Sequence, residues 1–212
     1  MKGRTLLASL GFSPEFILKR IARDGGVERL VMVGLWVEKQ SWARVEDAFN
    51  SIKFFCGKVG VECVLERVVL GRGLISQLHS ILRREASWRT VELFLTGGPR
   101  IVVVGFVVAG LMLDSRLQDR VEIVVWGEGF EGELRVRLSQ LSKLILLDEV
   151  ERRIVVKLAQ SPGGLRPSEV LKELGIARST FYKKVKRLIE AGIVIEDSGV
   201  YKLSPPILEI IK

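Results

Sequence analysis

The chain has 212 residues, enough for one large or two small domains. A hydrophobic share of 48% and a charged share of 27% exclude the disordered and fibrous classes. The net charge of +8 is uneven: residues 1–140 carry 20 Lys+Arg against 16 Asp+Glu, and residues 141–212 carry 13 against 9, so positive density is about twice as high in the second, shorter part. That tilt points to a nucleic-acid contact there. Cys56 and Cys63 are too few for a zinc site or a disulfide framework and read as small core residues in a reducing cytosol. Met1-Lys2-Gly3-Arg4 leads into an apolar strand without a cleavable signal pattern. Ile101 to Leu113 has no polar side chain but is shorter than the ~20 residues of a membrane span, so it reads as a buried helix. The expected location is cytoplasmic, with no membrane partner. A single Asn (Asn50) and a single His (His79) suit a hot environment.

Taken in order, Thr5-Leu6-Leu7-Ala8 predicts a buried strand ending in the loop Ser9-Leu10-Gly11-Phe12. Ser13-Pro14-Glu15 supplies a cap, a first-turn proline and an acidic first turn for a helix that stops at Gly25-Gly26. Leu30 to Trp36 is a second strand. Ser41 is placed to cap a helix whose apolar positions run Trp42, Val45, Phe49, Ile52, Cys56 and Val59. Val61 to Leu70 is a third strand, Gly71-Arg72-Gly73 a turn, and Leu74, Ile75, Leu78, Ile81 and Leu82 one face of the next helix. Val91 to Leu95 is the fourth strand. A glycine turn and an apolar helix from Pro99, the expected first helical residue, follow it. Val121 to Trp126 is the fifth strand. After Gly127-Glu128-Gly129, Leu134, Val136 and Leu138 alternate with Arg135 and Arg137, the pattern of a half-exposed antiparallel edge strand.

Strand and helix alternate four times, so the economical fold is α/β, a doubly wound and mostly parallel sheet. In the commonest strand order the first and fourth strands are neighbours, and a crevice opens at their carboxyl ends. The loops there are Ser9-Leu10-Gly11-Phe12 and Thr96-Gly97-Gly98-Pro99-Arg100. Glycines admit a close partner, a helix start presents N–H groups to an anion, and Arg100 adds a fork that matches phosphate oxygens. These nine residues are the candidate ligand site. No G-x-G-x-x-G follows the first strand, so a dinucleotide is not the expected ligand. The helix from Pro99 is apolar all round, with Gly105 and Gly110 permitting a close neighbour, and a homodimer is inferred to cover its outer face, the alternative cover being the C-terminal hairpin or linker.

Residues 1–138 thus form a first domain, 139–147 a joint, and 148–212 a second domain. Asp148-Glu149-Val150-Glu151 is a capping-box pattern. Helices at Pro167–Leu174 and Arg178–Ala191 follow, the first with Arg166 where a Ser, Thr or Asp cap would be normal. Glu196-Asp197-Ser198-Gly199 then turns a hairpin. Three helices and a two-stranded wing make a small α+β winged helix-turn-helix. In its third helix Phe181, Val185 and Leu188 pack inward, leaving Arg178, Ser179, Thr180, Tyr182, Lys183, Lys186 and Arg187 to phosphates and base edges of double-stranded DNA, with Lys202 on the wing.

The whole pattern resembles archaeal CRISPR-associated transcription regulators, which join a Rossmann-like CARF domain to a C-terminal winged helix. Thr96-Gly97-Gly98-Pro99-Arg100 is similar to the family's T-G-G-x-R ligand motif, and Ser9-Leu10-Gly11-Phe12 to the motif ending its first strand, with Ser9 where threonine is often found. The resemblance implies a homodimer that senses a cyclic oligoadenylate, most simply cyclic tetra-adenylate, and regulates CRISPR-related promoters. No catalytic or metal residue and no further cofactor is assigned. The alternatives are a ring nuclease, since cleavage by an oriented ribose hydroxyl needs no histidine, a regulator that senses another anionic metabolite, and a pure interaction module whose winged domain docks protein.

Overall fold

The computed structural model describes residues 3–23, 25–127 and 132–211. It divides into two compact units, residues 1–139 and 140–212. The predicted turn at Gly127-Glu128-Gly129 falls partly outside the described residues.

The first unit is a Rossmann-like α/β domain. Its elements are β1 (Arg4–Leu10), α1 (Glu15–Arg23), β2 (Val27–Trp36), α2 (Lys39–Val59), β3 (Glu62–Val69), α3 (Leu74–Trp88), β4 (Thr90–Phe94), α4 (Arg100–Leu111), α5 (Ser115–Gln118), β5 (Val121–Trp126) and β6 (Glu133–Arg137). The six strands lie in the order β3-β2-β1-β4-β5-β6. The first five are parallel, and β6 pairs antiparallel with β5 at the edge. β1 and β4 are neighbours, with Ala8 opposite Phe94, so the chain reverses its winding where their carboxyl ends meet. Leu6, Leu7, Ala8, Leu30, Val31, Met32 and Val33 are fully buried, as expected of parallel strands covered by helices on both faces.

Local details depart from the sequence reading. β1 runs two residues further than predicted, so Ser9 and Leu10 are strand residues and not loop residues. Ser41 does not cap α2. The helix already starts at Lys39, and the Ser41 hydroxyl donates back to the Glu38 carbonyl at 3.0 Å. Pro99 is the cap of α4 rather than its first residue, with an extended ψ of 128°. Leu138, predicted to end the edge strand, opens α6 (Leu138–Ile145), so the joint 139–147 is largely helical. Cys56 and Cys63 are not independent core residues: a disulfide joins the last turn of α2 to the start of β3, with their Cα atoms 6.4 Å apart. Gly60 at φ 72° ends α2 between them and lets the chain reverse within seven residues.

Charges are buried inside this unit. Glu92, at the centre of β4, is 1% exposed and receives the Arg20 guanidinium through two bonds of 2.5 and 2.6 Å. Arg4 approaches Glu92 to 3.3 Å and Arg135 to 3.6 Å. Arg135 also holds Glu122 at 2.5 Å and Glu133 at 2.8 Å. Glu133 accepts the Trp126 indole N–H at 2.7 Å. Burial raises the Glu133 pKa, but the Trp126 and Arg135 bonds outweigh it and leave the carboxyl more acidic than usual. The network ties α1 to β4, β5 and β6. Its sequence signals were single charges inside apolar patterns: Arg20 lies on the buried face of α1 with Ile17 and Ile21, and Glu92 lies between Val91 and Leu93.

The second unit contains most of α6, then α7 (Glu149–Ala159), α8 (Pro167–Leu174), α9 (Arg178–Glu190), β7 (Val194–Asp197), β8 (Val200–Leu203) and α10 (Pro205–Ile211). The capping box forms as the sequence implies: Glu151 N–H donates to the Asp148 carboxylate at 3.0 Å and Asp148 N–H to Glu151 at 3.1 Å. At α8 only half of that device exists. The Arg166 backbone N–H donates to Glu169 at 2.6 Å, and the guanidinium has nothing to accept with. Ser198 (φ 54°) and Gly199 (φ 78°) make the two-residue turn joining β7 to β8. Leu165 pairs with Tyr201 of β8, the two residues exchanging two 2.9 Å backbone bonds. Ile154, Leu158, Val170, Phe181, Val185, Leu188 and Leu203 fill the core.

Candidate ligand crevice and basic helix

The two predicted loops converge. The Ser9 hydroxyl, at the end of β1, donates to the Gly97 carbonyl at 2.7 Å. Gly97 and Gly98 take φ of 92° and 76°, a conformation that favours glycine. A Cβ on Gly98 would lie 2.9 Å from Ser9, and one on Gly11 would lie 3.2 Å from the Gly98 Cα. The backbones therefore touch at a point where side chains do not fit. Thr96 is buried, and its hydroxyl oxygen accepts the Trp126 backbone N–H at 2.7 Å, which fixes the end of β5 to the turn.

Between these loops and the start of α2 lies a cavity of about 550 Å³. Its walls are mainly apolar: Phe12, Phe16, Leu35, Val37 and Val45, with the Gly97-Gly98-Pro99 backbone on one rim. Phe12 is half exposed, and the Arg44 guanidinium carbon lies 3.9 Å from its ring centroid. Arg100 is exposed at the first turn of α4, where a helix leaves N–H groups without intrahelical partners.

The nine residues singled out in the sequence thus separate into two groups. Gly11, Phe12, Gly97, Gly98 and Pro99 line the cavity, and Arg100 lies next to it in sequence. Ser9, Leu10 and Thr96 do not line it. Leu10 is fully buried, and the two hydroxyls, taken from the sequence as facing the ligand, are engaged in holding the turn. The ligand site read from the sequence did not include Ser13, Phe16, Leu35, Val37, Ser41 and Val45, which line the cavity, or Arg44, which stacks on Phe12. The signal for the last three was the start of α2 directly after β2, which brings that helix to the same carboxyl-end rim.

In the second unit Arg178, Ser179, Tyr182, Lys183 and Lys186 are exposed along α9 and Thr180 is partly covered. Arg178 lies 5.7 Å from the Tyr182 ring centroid. Arg187 is different. It pairs with Glu151 at 2.9 Å, and the Glu151 side chain is only 3% exposed. Lys184 pairs with Asp148, which holds the Asp148 carboxyl below its usual range and raises the Lys184 ammonium. Lys202 on the hairpin is bound to Asp197 at 2.7 Å. Arg187 and Lys202 are therefore committed to carboxylates of their own unit. Among the described residues no group of His, Cys, Asp and Glu is arranged to hold a metal ion, and no helix is long and apolar enough to cross a membrane.

The fold defines a Rossmann-like domain with an apolar crevice at its topological switch point. Residues 4–137 match the Csa3 CRISPR-associated Rossmann-like domain, and the chain belongs to that family. No curated protein matches the chain.

Proposed function

We propose that the protein is a ligand-responsive regulator of CRISPR–Cas genes, in which the crevice of the first unit binds a cyclic oligoadenylate and the second unit is a winged helix-turn-helix that binds promoter DNA. The observation that carries the reading is the meeting of the Ser9–Phe12 and Thr96–Arg100 segments at one apolar cavity, within a domain of the Csa3 CRISPR-associated family. A flat base suits the apolar walls. Phosphates suit the glycine-turn N–H groups and Arg100.

The proposed partner of this chain is a second copy of it. Ile101, Val104 and Val108 of α4 and Met112 at its C-cap are 47%, 61%, 41% and 63% exposed, an apolar stripe that a lone chain leaves in water. A ring of four identical nucleotides has the symmetry to lie on a two-fold axis, half of it in each protomer, and cyclic tetra-adenylate is the ligand of choice. In the second unit the order of three helices and a hairpin supports a winged helix, with α9 as the reading helix and Arg178, Tyr182, Lys183 and Lys186 as its contacts. The chain passes between the units through α6. A change of half-site spacing on ligand binding would alter operator affinity by the ~1–3 kcal/mol usual for coupled sites.

Operator affinity measured at one fixed salt concentration, with and without saturating cyclic tetra-adenylate, tests the coupling. Identical affinities overturn it. Recovery of linear oligoadenylate after incubation would replace binding by cleavage at the crevice, and preference for a different anionic metabolite would replace the ligand. Sedimentation of Val104→Asp against the parent tests the dimer: the parent should run as two copies and the variant as one.

A further inference from the structure

The crevice has a second cation that the glycine turn does not supply. Arg44 lies in the second turn of α2, and its guanidinium rests on Phe12, a wall of the cavity. Ser41 and Val45, three residues before it and one after, line the same cavity, so helix geometry puts Arg44 at that rim. Such stacking holds a long side chain in one place and leaves its N–H edge free to bind. Arg20, Arg29, Arg84 and Arg135 of the same unit are all paired with glutamates. Among the described residues Arg44 and Arg100 have no carboxylate partner. Two uncommitted guanidinium groups therefore stand near an apolar space, one on α2 and one on α4.

We propose that Arg44 is a ligand-binding residue of the crevice: seated on Phe12, it takes an anionic group at the α2 rim, Arg100 takes another at the α4 rim, and a nucleobase fills the apolar space between them. This rests on the reading of the crevice as an oligoadenylate site. It adds a residue from outside both glycine-turn segments, and it sets the ligand's form: a base with phosphate on either side, as in a chain or ring of nucleotides, and not a mononucleotide with phosphate at one end.

Calorimetric titration of the full-length protein with cyclic tetra-adenylate, at low and moderate salt, tests this. Arg44→Ala should weaken binding about tenfold or more, the weight of a charge-assisted hydrogen bond, and flatten the salt dependence. Arg44→Gln should show the same loss, and Arg44→Lys a smaller one. Phe12→Leu should weaken binding in the same direction by removing the seat. Lys58→Ala is the control. It removes the same charge from the far end of α2, where Lys58 lies 4.5 Å from the Phe54 ring centroid, and should leave binding unchanged. Should Arg44→Ala bind like the parent while Arg100→Ala does not, the role of Arg44 is overturned and the crevice reading stands. Equal losses in Arg44→Ala and Lys58→Ala overturn it too, since bulk charge then explains both. Failure of the parent protein to bind ends the crevice reading, and Arg44 with it.

Discussion

Ser9 and Gly97 are 88 positions apart in the chain, and the hydroxyl of the first donates to the carbonyl of the second at 2.7 Å. That bond ties the end of β1 to the glycine turn. Ser9→Ala removes the donor and leaves a partly buried carbonyl short of a partner, which should cost about 1–2 kcal/mol of stability. All four tryptophans belong to the first unit, so their emission during denaturant unfolding follows that unit and measures the loss. Ligand affinity should fall with it, because the turn loses its anchor.

Gly98→Ala should be worse than its size suggests. The new methyl group would sit in the left-handed region, at a cost of about 1–3 kcal/mol, and against Ser9 as well. Loss of stability by the same fluorescence assay, together with loss of ligand binding, is the expected result. Gly26→Ala, at a site with open space around it, should change neither.

Breaking the buried pair under β4 should be among the costliest single changes. Glu92→Gln removes the buried carboxylate that Arg20, Arg4 and Arg135 share, which should cost about 3–5 kcal/mol. Replacing both, as Glu92→Leu with Arg20→Met, should cost less than the sum of the two single changes. An additive double-mutant cycle would show that the pair is not coupled.

The acid side of the stability profile should belong partly to Asp148. The Lys184 ammonium, then the Glu151 backbone N–H, hold its carboxyl below the usual value, so its contribution is complete above an unfolded pKa of about 3.9 and is lost as pH falls through the folded one. Lys184 has the opposite sign. Its pKa is raised, so its contribution is complete below about 10.4 and is lost as pH rises through the folded value. Asp148→Ala, which also removes a helix cap worth about 1 kcal/mol, should weaken hydrogen-exchange protection of α7 at neutral pH. The difference from the parent should narrow below both acid pKa values to the share of the cap, which a protonated carboxyl still supplies.

Two basic residues of α9 should separate in their effects. Lys183 is exposed, so Lys183→Ala should weaken promoter binding and reduce its salt dependence without changing stability. Arg187→Ala should destabilise the second unit, because Glu151 is then left buried with a weaker partner. Paired denaturation and DNA-binding measurements distinguish them.

Much of this architecture was legible in the chain. Apolar runs ending in Ser9-Leu10-Gly11 and Thr96-Gly97-Gly98, with helical periods between them, define which turns share a rim, because the switch point of a doubly wound sheet brings two strand ends together. Asp148 and Glu151 announced their capping box at the right spacing. What the sequence left hidden is mostly long-range. The Glu92–Arg20 pair spans 72 positions, the Ser9 hydroxyl turns to a carbonyl 88 positions on, and the direction of the Thr96 hydroxyl depends on where β5 ends. The Cys56–Cys63 bridge was concealed because the pair flanks a helix end, where only the left-handed Gly60 brings the two sulfurs together. Arg187 looked like one more basic residue until the acidic start of α7 was placed beside it.

β6 closes one side of the sheet with Glu133, Arg135 and Arg137, and β3 closes the other with Glu62, Glu66 and Arg67. An incoming strand from another molecule would have to strip water from those charges while gaining only backbone bonds. Both flanks thus resist further growth by strand addition, and copies crowded together in a cell are steered away from fibres.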